Sequence, residues 1–337
     1  MSKQLFSKDS HSLVKQYLST TLYNKLKNRK TNSGYTLDKA IQSGIINPDS
    51  DIGLYAGDGE TYEIFNEIFD LIIADYHCYS PKKSHLTDFS FSSIPLLDPE
   101  NKYIVSTRIR LARNLDTFPF PTFILKNQRD KVEEIIIKAL KNLPEKLQGQ
   151  YLRLENILKS NLKSNFYPKK GDRFQEAAGI TRDFPDSRGV FLSDNKKFMV
   201  WVNEEDHLRI ISMEQGSNIS SVFNRLGKGI KSLETNLEFS FSKKYGYLTA
   251  CPSNIGIAMR ASVHIKLPEL KKQKEFLYKT AAQYGLQIRG TCGEKTRVEN
   301  FIFDISNKQR LGITENECIN ILSNGIQKII SIEKKLS

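Results

Sequence analysis

The sequence contains no run of 18 or more apolar residues, which excludes a transmembrane helix. Its opening stretch, MSKQLFSKDSHSLVKQ, lacks the apolar segment of a secretory leader, so a cytoplasmic protein is expected. Cysteine is scarce. Cys78, Cys251, Cys292 and Cys318 lie far apart with no C-x-x-C pair, which removes zinc-site spacing and argues against a disulfide framework. The backbone devices that cradle phosphate are missing too. GKGIKSL (Gly227 to Leu233) fails the G-x-x-x-x-G-K-[ST] pattern, and no strand leads into G-x-G-x-x-G. H-R-D and D-F-G motifs are likewise absent, which excludes a protein-kinase fold. Any phosphate bound by this chain must be held by side chains.

What the chain does have is positive charge. Its 337 residues carry 50 Lys and Arg against 38 Asp and Glu, a net +12. Nucleic acid is the first partner such a surplus suggests. The lysines, however, are scattered over polar helix faces, as at Lys271, Lys272 and Lys274, without clustered aromatic stacking platforms. No nucleic-acid partner is therefore expected, and the arginines become the residues to follow.

The length is about twice that of an ordinary domain. Between Tyr62 and Tyr76, Phe65, Phe69, Ile72, Ile73 and Tyr76 recur at helical spacing. The stretch His77 to Asn101 then loses all period and reads as a linker. Beyond it, helical stripes (Val132 to Leu143; Val222, Leu226, Ile230, Leu233; Ile319 to Ile330) alternate with strand-like runs. Those runs are YIVSTRIRL, FMVWV, HLRIIS, GYLTAC, MRASVHIKL, LQIRG and FIFDI. Thr314 with Glu317 forms a capping box opening the last helix. The expected fold class is α+β, with a small helical N-terminal domain (1–95) and a larger domain (96–337) built on an antiparallel sheet flanked by helices. Trp201 is expected in the core.

Strand alternation sorts the arginines. In YIVSTRIRL, Tyr103, Val105, Thr107, Ile109 and Leu111 share one face, and Ser106, Arg108 and Arg110 the other. In MRASVHIKL, Arg260, Ser262, His264 and Lys266 lie opposite the apolar residues; in NEEDHLRIIS, Glu205, His207 and Arg209 share parity. A solvated polar face explains any single strand. Three strands that each place arginine on the face opposite their apolar residues suit a polyphosphate instead, since arginine is made for bidentate phosphate contacts. RGTCGEKTRVEN (Arg289 to Asn300) reads as a loop that could add one arginine and one carboxylate as a lid. Cys251, in CPSNIG, is read either as a buried inert thiol or as one activated by Ser253.

These same segments resemble the phosphagen (ATP:guanidino) kinases from about residue 15 onward. The resemblance rests on VSTRIR (105–110), GDRF (171–174), WVNEEDHLRIISM (201–213), CPSNIGIAMRASVHIKLP (251–268) and FDISNKQRLG (303–312). It implies a helical domain joined to a sheet domain, with the active site between them. The implied activity is reversible transfer of the ATP γ-phosphate to the guanidinium of a small phosphagen precursor. L-arginine is favoured; taurocyamine or another guanidino compound is the alternative. The resemblance assigns Arg108, Arg110, Arg209, Arg260 and Arg289 to the nucleotide phosphates, with Ser106, His264 and Asp304 around the nucleotide. It assigns Glu205 and Glu294 to the guanidinium, with Cys251 beside it. Mg²⁺ is implied as a partner of ATP or ADP, held by phosphates and water and by no protein ligand set. The family includes monomers and homodimers.

Specificity in the family depends on a loop that here reads PDSDIGLYAGD (Pro48 to Asp58). Tyr55 matches the position at the amino-acid end of the substrate, and Ser50 and Ile52 would offer backbone N–H groups to its α-carboxylate. Asp51 departs from the usual glycine. Cys292, Lys295, Arg297 and Asn165 are further departures, bearing on loop closure and nucleotide affinity. A bacterial protein-arginine kinase resembles Ser106 to Leu115 as well, but lacks the helical domain and its loop.

Overall fold

A computed structural model describes residues 5–79, 84–90, 92–160, 166–290 and 300–337. The helices are α1 Leu13–Tyr17, α2 Thr20–Leu26, α3 Leu37–Ile46, α4 Thr61–Ile64, α5 Asn66–His77, α6 Lys126–Leu140, α7 Leu154–Lys159, α8 Arg173–Ala177, α9 Ile219–Glu234, α10 Pro268–Lys272, α11 Lys274–Gln283 and α12 Glu315–Leu336. The strands are β1 Ile104–Arg113, β2 Gly149–Arg153, β3 Gly189–Ser193, β4 Phe198–Val202, β5 Leu208–Gln215, β6 Phe241–Ser242, β7 Gly246–Tyr247, β8 Met259–Lys266, β9 Leu286–Arg289 and β10 Ile302–Asn307. Eight strands form one sheet in the order β2-β3-β4-β5-β1-β8-β10-β9, antiparallel throughout. This is the α+β architecture expected from the sequence.

One face of the sheet is covered by helices. Val132 and Ile136 of α6, Val222, Leu226, Ile230 and Leu233 of α9, and Ile319, Leu322, Ile326 and Ile329 of α12 are buried against it. Glu317 N–H donates to Thr314 Oγ1 (3.2 Å) and Thr314 N–H to Glu317 Oε2 (2.7 Å), so α12 opens on the capping box. The opposite face of the sheet is left for the site.

The helical region has its own apolar cluster, from Phe6 to Ile73. Phe120, Ala178, Ile180, Tyr245, Leu248, Ala250, Cys251, Ile255 and Leu311 belong to that cluster too. The helix expected over 62–76 is two helices with Phe65 between them. Phe65, Phe69, Ile72 and Ile73 are buried as the stripe requires, but Tyr76 is 41% exposed.

Four strand readings need correction. GYLTAC pairs only at Gly246–Tyr247, because its remainder is bound to the helical region instead: Ala56 N–H donates to Ala250 O and Tyr62 O–H to Thr249 O, each at 2.8 Å. The strands β2 and β3 were not expected, since GQYLR and GVFLS show no clean alternation. Val105 is 40% exposed, not on the apolar face. A bulge between Ile104 and Ser106 inserts it as an extra residue, so Ile104 takes the buried position while Ser106, Arg108 and Arg110 keep theirs. Trp201 is on the site face, half-buried: its Nε1–H donates to Phe166 O (2.7 Å) and Arg209 lies 5.5 Å from its ring centroid.

Candidate active site

Cross-strand register sets the predicted residues side by side. Arg110 pairs with Arg260, Arg108 with Ser262, and Ser106 with His264. His264 in turn pairs with Asp304, and Asp304 with Arg289, while Ala112 beside Arg110's row pairs with Arg209. Residues directly opposite on neighbouring strands share a face, so all five arginines come from one surface of the sheet.

Their charge is only partly met from within. Arg260 donates from Nη2 to Asp304 Oδ2 (2.7 Å) and from Nε to Ser306 Oγ (3.1 Å). Among the described residues Arg108 and Arg110 enter no ion pair, and the buried Nε of Arg108 has no partner. Burial, then repulsion from Arg209 and Arg260, pulls Arg108 down to about 10 and Arg110 well below the ordinary arginine value. Guanidiniums crowded this way favour an anion that neutralises them.

The carboxylates come from a tight turn between β4 and β5. Asn203 N–H donates to His207 O (2.9 Å) across it. Asp206 points inward, where Oδ1 accepts from Asn114 Nδ2 (2.6 Å) and Ala250 N (2.7 Å). His207 is fully buried, taking Leu115 N–H on Nδ1 (3.0 Å) with Nε2 3.0 Å from Pro119 O. The shared parity of Glu205, His207 and Arg209 therefore fails at His207, because β5 begins only at Leu208. Glu204 and Glu205 remain, facing Arg209. Its Nη1 and Nη2 lie 3.0 and 2.9 Å from the two oxygens of Glu204, and Nη2 is 3.1 Å from Glu205 Oε2. Burial raises Glu205, with Glu204 adding to the rise and Arg209 opposing it. Burial would lower Arg209; Glu204, Glu205 and Asp206 outweigh it and hold the arginine above its ordinary value.

Opposite this turn stands the segment from Cys251, buried against the helical region. Burial and then the Glu205 carboxylate push the thiol up to about 12, although Ser253 Oγ lies 3.0 Å from Sγ. Behind it His77 Nε2 lies 2.9 Å from Pro252 O, and Arg310 Nη1 donates to Ser253 O (2.8 Å).

A cleft of about 430 Å³ joins these parts. Its walls include Ser50, Asp51, Ile52 and Tyr55 of the 48–58 loop together with Arg110, Glu205, Arg209, Cys251 and Arg289. Ser106, Arg108, His264 and Asp304 continue along the same sheet face, and Arg260 opens into a smaller adjoining cavity. Ser50 N–H is donated to Asn47 O (3.0 Å), whereas Ile52 N–H has no partner among the described residues. Asp51 is exposed at the rim, and an Arg173–Asp49 ion pair ties α8 to the loop. Glu294 lies outside the described residues, as do Cys292, Lys295, Arg297 and Asn165.

Lining residues that escaped sequence reasoning include Glu204, Arg310 and Tyr76. Glu204 has the wrong parity relative to Arg209 and is brought to the cleft only by the turn. Tyr76 was assigned to the apolar stripe, and Arg310 follows β10 with no period to mark it. A larger recess of about 570 Å³ elsewhere is lined by Asp58, Glu60, Glu63 and Asp116, the wrong sign for polyphosphate. Among the described residues no group of three or more His, Cys, Asp or Glu is arranged to hold a metal ion.

Comparison with known proteins agrees with this geometry. The family model for the ATP:guanido phosphotransferase C-terminal catalytic domain matches residues 131–336, and that for the N-terminal domain matches 8–74. The chain belongs to the ATP:guanido phosphotransferases. It is 42% identical to an arginine kinase of Penaeus monodon over 335 residues, covering 97% of this chain and 94% of that protein. Identity to an arginine kinase of Anthopleura japonica is 43% over 334 residues; the match takes in 96% of this chain but spans only about half (47%) of that relative. Among solved structures, a lombricine kinase superposes with a TM-score of 0.90 at 36% identity, covering 97% of this chain and 93% of the other. The duplicated taurocyamine kinase of Schistosoma mansoni gives 0.88 at 34% identity, with 97% of this chain and 48% of that one covered.

Proposed function

We propose that this ATP:guanido phosphotransferase is an arginine kinase, moving the γ-phosphoryl group of ATP reversibly to the guanidinium of L-arginine. The observation that carries the reading is one cleft in which Arg110, without an ion pair among the described residues, stands with the half-buried Glu204–Glu205 pair, while Arg108 continues the same sheet face. Arginine kinases of this length, at about 42% identity, support the substrate.

In the forward direction a P–N bond forms at the substrate guanidinium as the γ-phosphorus–oxygen bond to ADP breaks. Such a transfer needs alignment and charge neutralisation above all. Arg108, Arg110, Arg260 and Arg289 would hold the phosphates. Glu205 would hold the guanidinium and take its proton, and its raised affinity for protons suits it as a base. Nη2 of Arg209 lies 3.1 Å from Glu205 Oε2, the position the substrate guanidinium would take. Arg209 then turns toward the phosphates while Glu204 retains it. Glu294 is proposed as the second carboxylate. Cys251 would border the guanidinium, and Ile52 N–H and Tyr55 would meet the amino-acid end.

Mg²⁺ fits this site as an ion arriving on the nucleotide, because the nearby carboxylates are committed to arginines: Asp304 to Arg260, Glu204 and Glu205 to Arg209. When bound it would shield the phosphate oxygens from each other. A cytoplasmic location belongs to the same proposal, with a domain boundary near residue 95. No described helix is long and apolar enough to cross a membrane.

The test is coupled ADP release with arginine, taurocyamine, glycocyamine, lombricine and creatine. Arginine is expected to give the highest kcat/KM. Preference for another member moves the substrate assignment, and no turnover of any of them overturns the function.

A further inference from the structure

The paired glutamates are held up by a residue outside the cleft. Asn203, the last residue before them, is 1% exposed and adopts φ of 56°, the left-handed region that asparagine tolerates better than most residues. Its backbone N–H closes the turn on His207 O. Its side-chain amide donates to Arg129 O at the start of α6 (3.2 Å) and to Ser187 O ahead of β3 (2.8 Å). Both partners are carbonyl oxygens, so the amide orientation is fixed: the position requires a donor. Asp206 and His207 anchor the far side of the turn to β1's end and the Cys251 segment. Past the last β4–β5 ladder pair, Val202 with Leu208, Asn203 ties the near side to α6 and to the segment ahead of β3.

We infer that Asn203 is a positioning residue for phosphoryl transfer, fixing Glu204 and Glu205 through its hydrogen bonds to Arg129 and Ser187. The inference rests on the reading of Glu205 as the group that orients the guanidinium. Apart from the Glu205 N–H that Glu204 Oε2 accepts (2.9 Å), the two carboxylates are held among the described residues by Arg209, a side chain that binding would move. Without Asn203's two bonds the turn would keep its hairpin but lose its fixed distance from the arginine face. In-line transfer is sensitive to displacements of that size.

Two substitutions separate anchoring from backbone conformation. Asn203→Gly accepts the left-handed φ and removes the amide; Asn203→Asp keeps the size but aims a carboxylate at two carbonyl oxygens. In both, kcat for arginine is expected to fall roughly 30-fold or more, while the Kd for MgADP by calorimetry moves less than about threefold. Measured against the parent at the same pH, Asn203→Asp should regain part of its kcat as pH falls toward 5, where a protonated carboxyl donates again, and Asn203→Gly should not. A kcat within about twofold of the parent in Asn203→Gly overturns the inference, as does a loss of MgADP binding equal to the loss of kcat. If the parent protein turns over no guanidino substrate, the functional reading fails on its own. Amide exchange of residues 204–207 then decides the positioning claim: faster exchange in Asn203→Gly supports it and unchanged exchange overturns it.

Discussion

Arg209 grips Glu204 with two nitrogens, at 3.0 and 2.9 Å, while the same guanidinium reaches Glu205 at 3.1 Å. One arginine thus serves two carboxylates, and on the proposed function Glu204 would keep it while Glu205 released it to the substrate. Glu205→Gln should lower kcat about 100-fold or more, because the amide neither accepts the proton nor holds a cation. Arg209→Lys should lose nearly as much, since an ammonium cannot form the two-nitrogen contact with Glu204 and a phosphate contact together. Steady-state rates with saturating MgATP and arginine check both; near-parental rates in either would remove that residue from the site.

Stability should fall on the acid side through His207. Burial holds its imidazole at about 3, against 6.5 in a free chain, with Leu115 N–H occupying Nδ1. The unfolded chain therefore takes up a proton that the folded one refuses, and stability is lost as pH falls from about 6.5 toward 3, at roughly 1.4 kcal/mol per unit. His77 and His85, both held near 4 by burial, act in the same direction. Asp206 has the opposite sign: burial beside Glu205 raises it to about 7, so its contribution is lost as pH rises from 3.8 toward 7. His207→Gln, able to donate and accept but not to titrate, should melt lower at pH 7 and lose less on acidification. Melting temperatures between pH 4 and 8 provide the comparison, and an unchanged acid limb would mean another group titrates.

The arginine face was legible because period-two alternation is a local property. Ser106, Arg108, Arg110, Arg260 and His264 kept their parity despite the bulge at Val105, which lies upstream of them all. Parity marked Glu205 beside Arg209, but the role of the carboxylates was legible only through resemblance. Whether Glu204 or Glu205 meets a cleft depends on a turn whose direction is set by Asn114, Arg129, Ser187 and Ala250, whose bonds to it span 16 to 92 residues of sequence. Trp201 and Tyr76 misled for a related reason: an aromatic ring can complete an apolar period and still line a site.

Alkylation should distinguish the cysteines. Cys78 is exposed at the end of α5, whereas Cys251 is buried and its thiol held near 12. At pH 7.5 without substrates, iodoacetamide should label Cys78 well ahead of Cys251, read by peptide mass spectrometry. Labelling of Cys251 first would show that the thiolate forms in the free chain after all.

Asp51 bears on the substrate. It is exposed on the cleft rim beside Ile52, whose N–H is the proposed carboxylate donor. Removing a nearby negative charge should help an α-carboxylate bind, so Asp51→Gly should lower the KM for arginine several-fold, by the order of 1 kcal/mol expected near a protein surface, with kcat little changed. A KM that stays put would place the Asp51 carboxylate away from the bound substrate.

The apolar cluster of the helical region draws on Leu248, Ala250, Ile255 and Leu311 from the far end of the chain. Cutting the protein at the linker would therefore not yield two self-sufficient pieces. The amino-terminal fragment would present a bare oily socket, and the carboxy-terminal fragment would carry the loose plug that fills it. Each should aggregate when produced alone, and the two should recover solubility when synthesised together, so that fragment complementation becomes a way to isolate the docking of the Cys251 segment from the chemistry beside it.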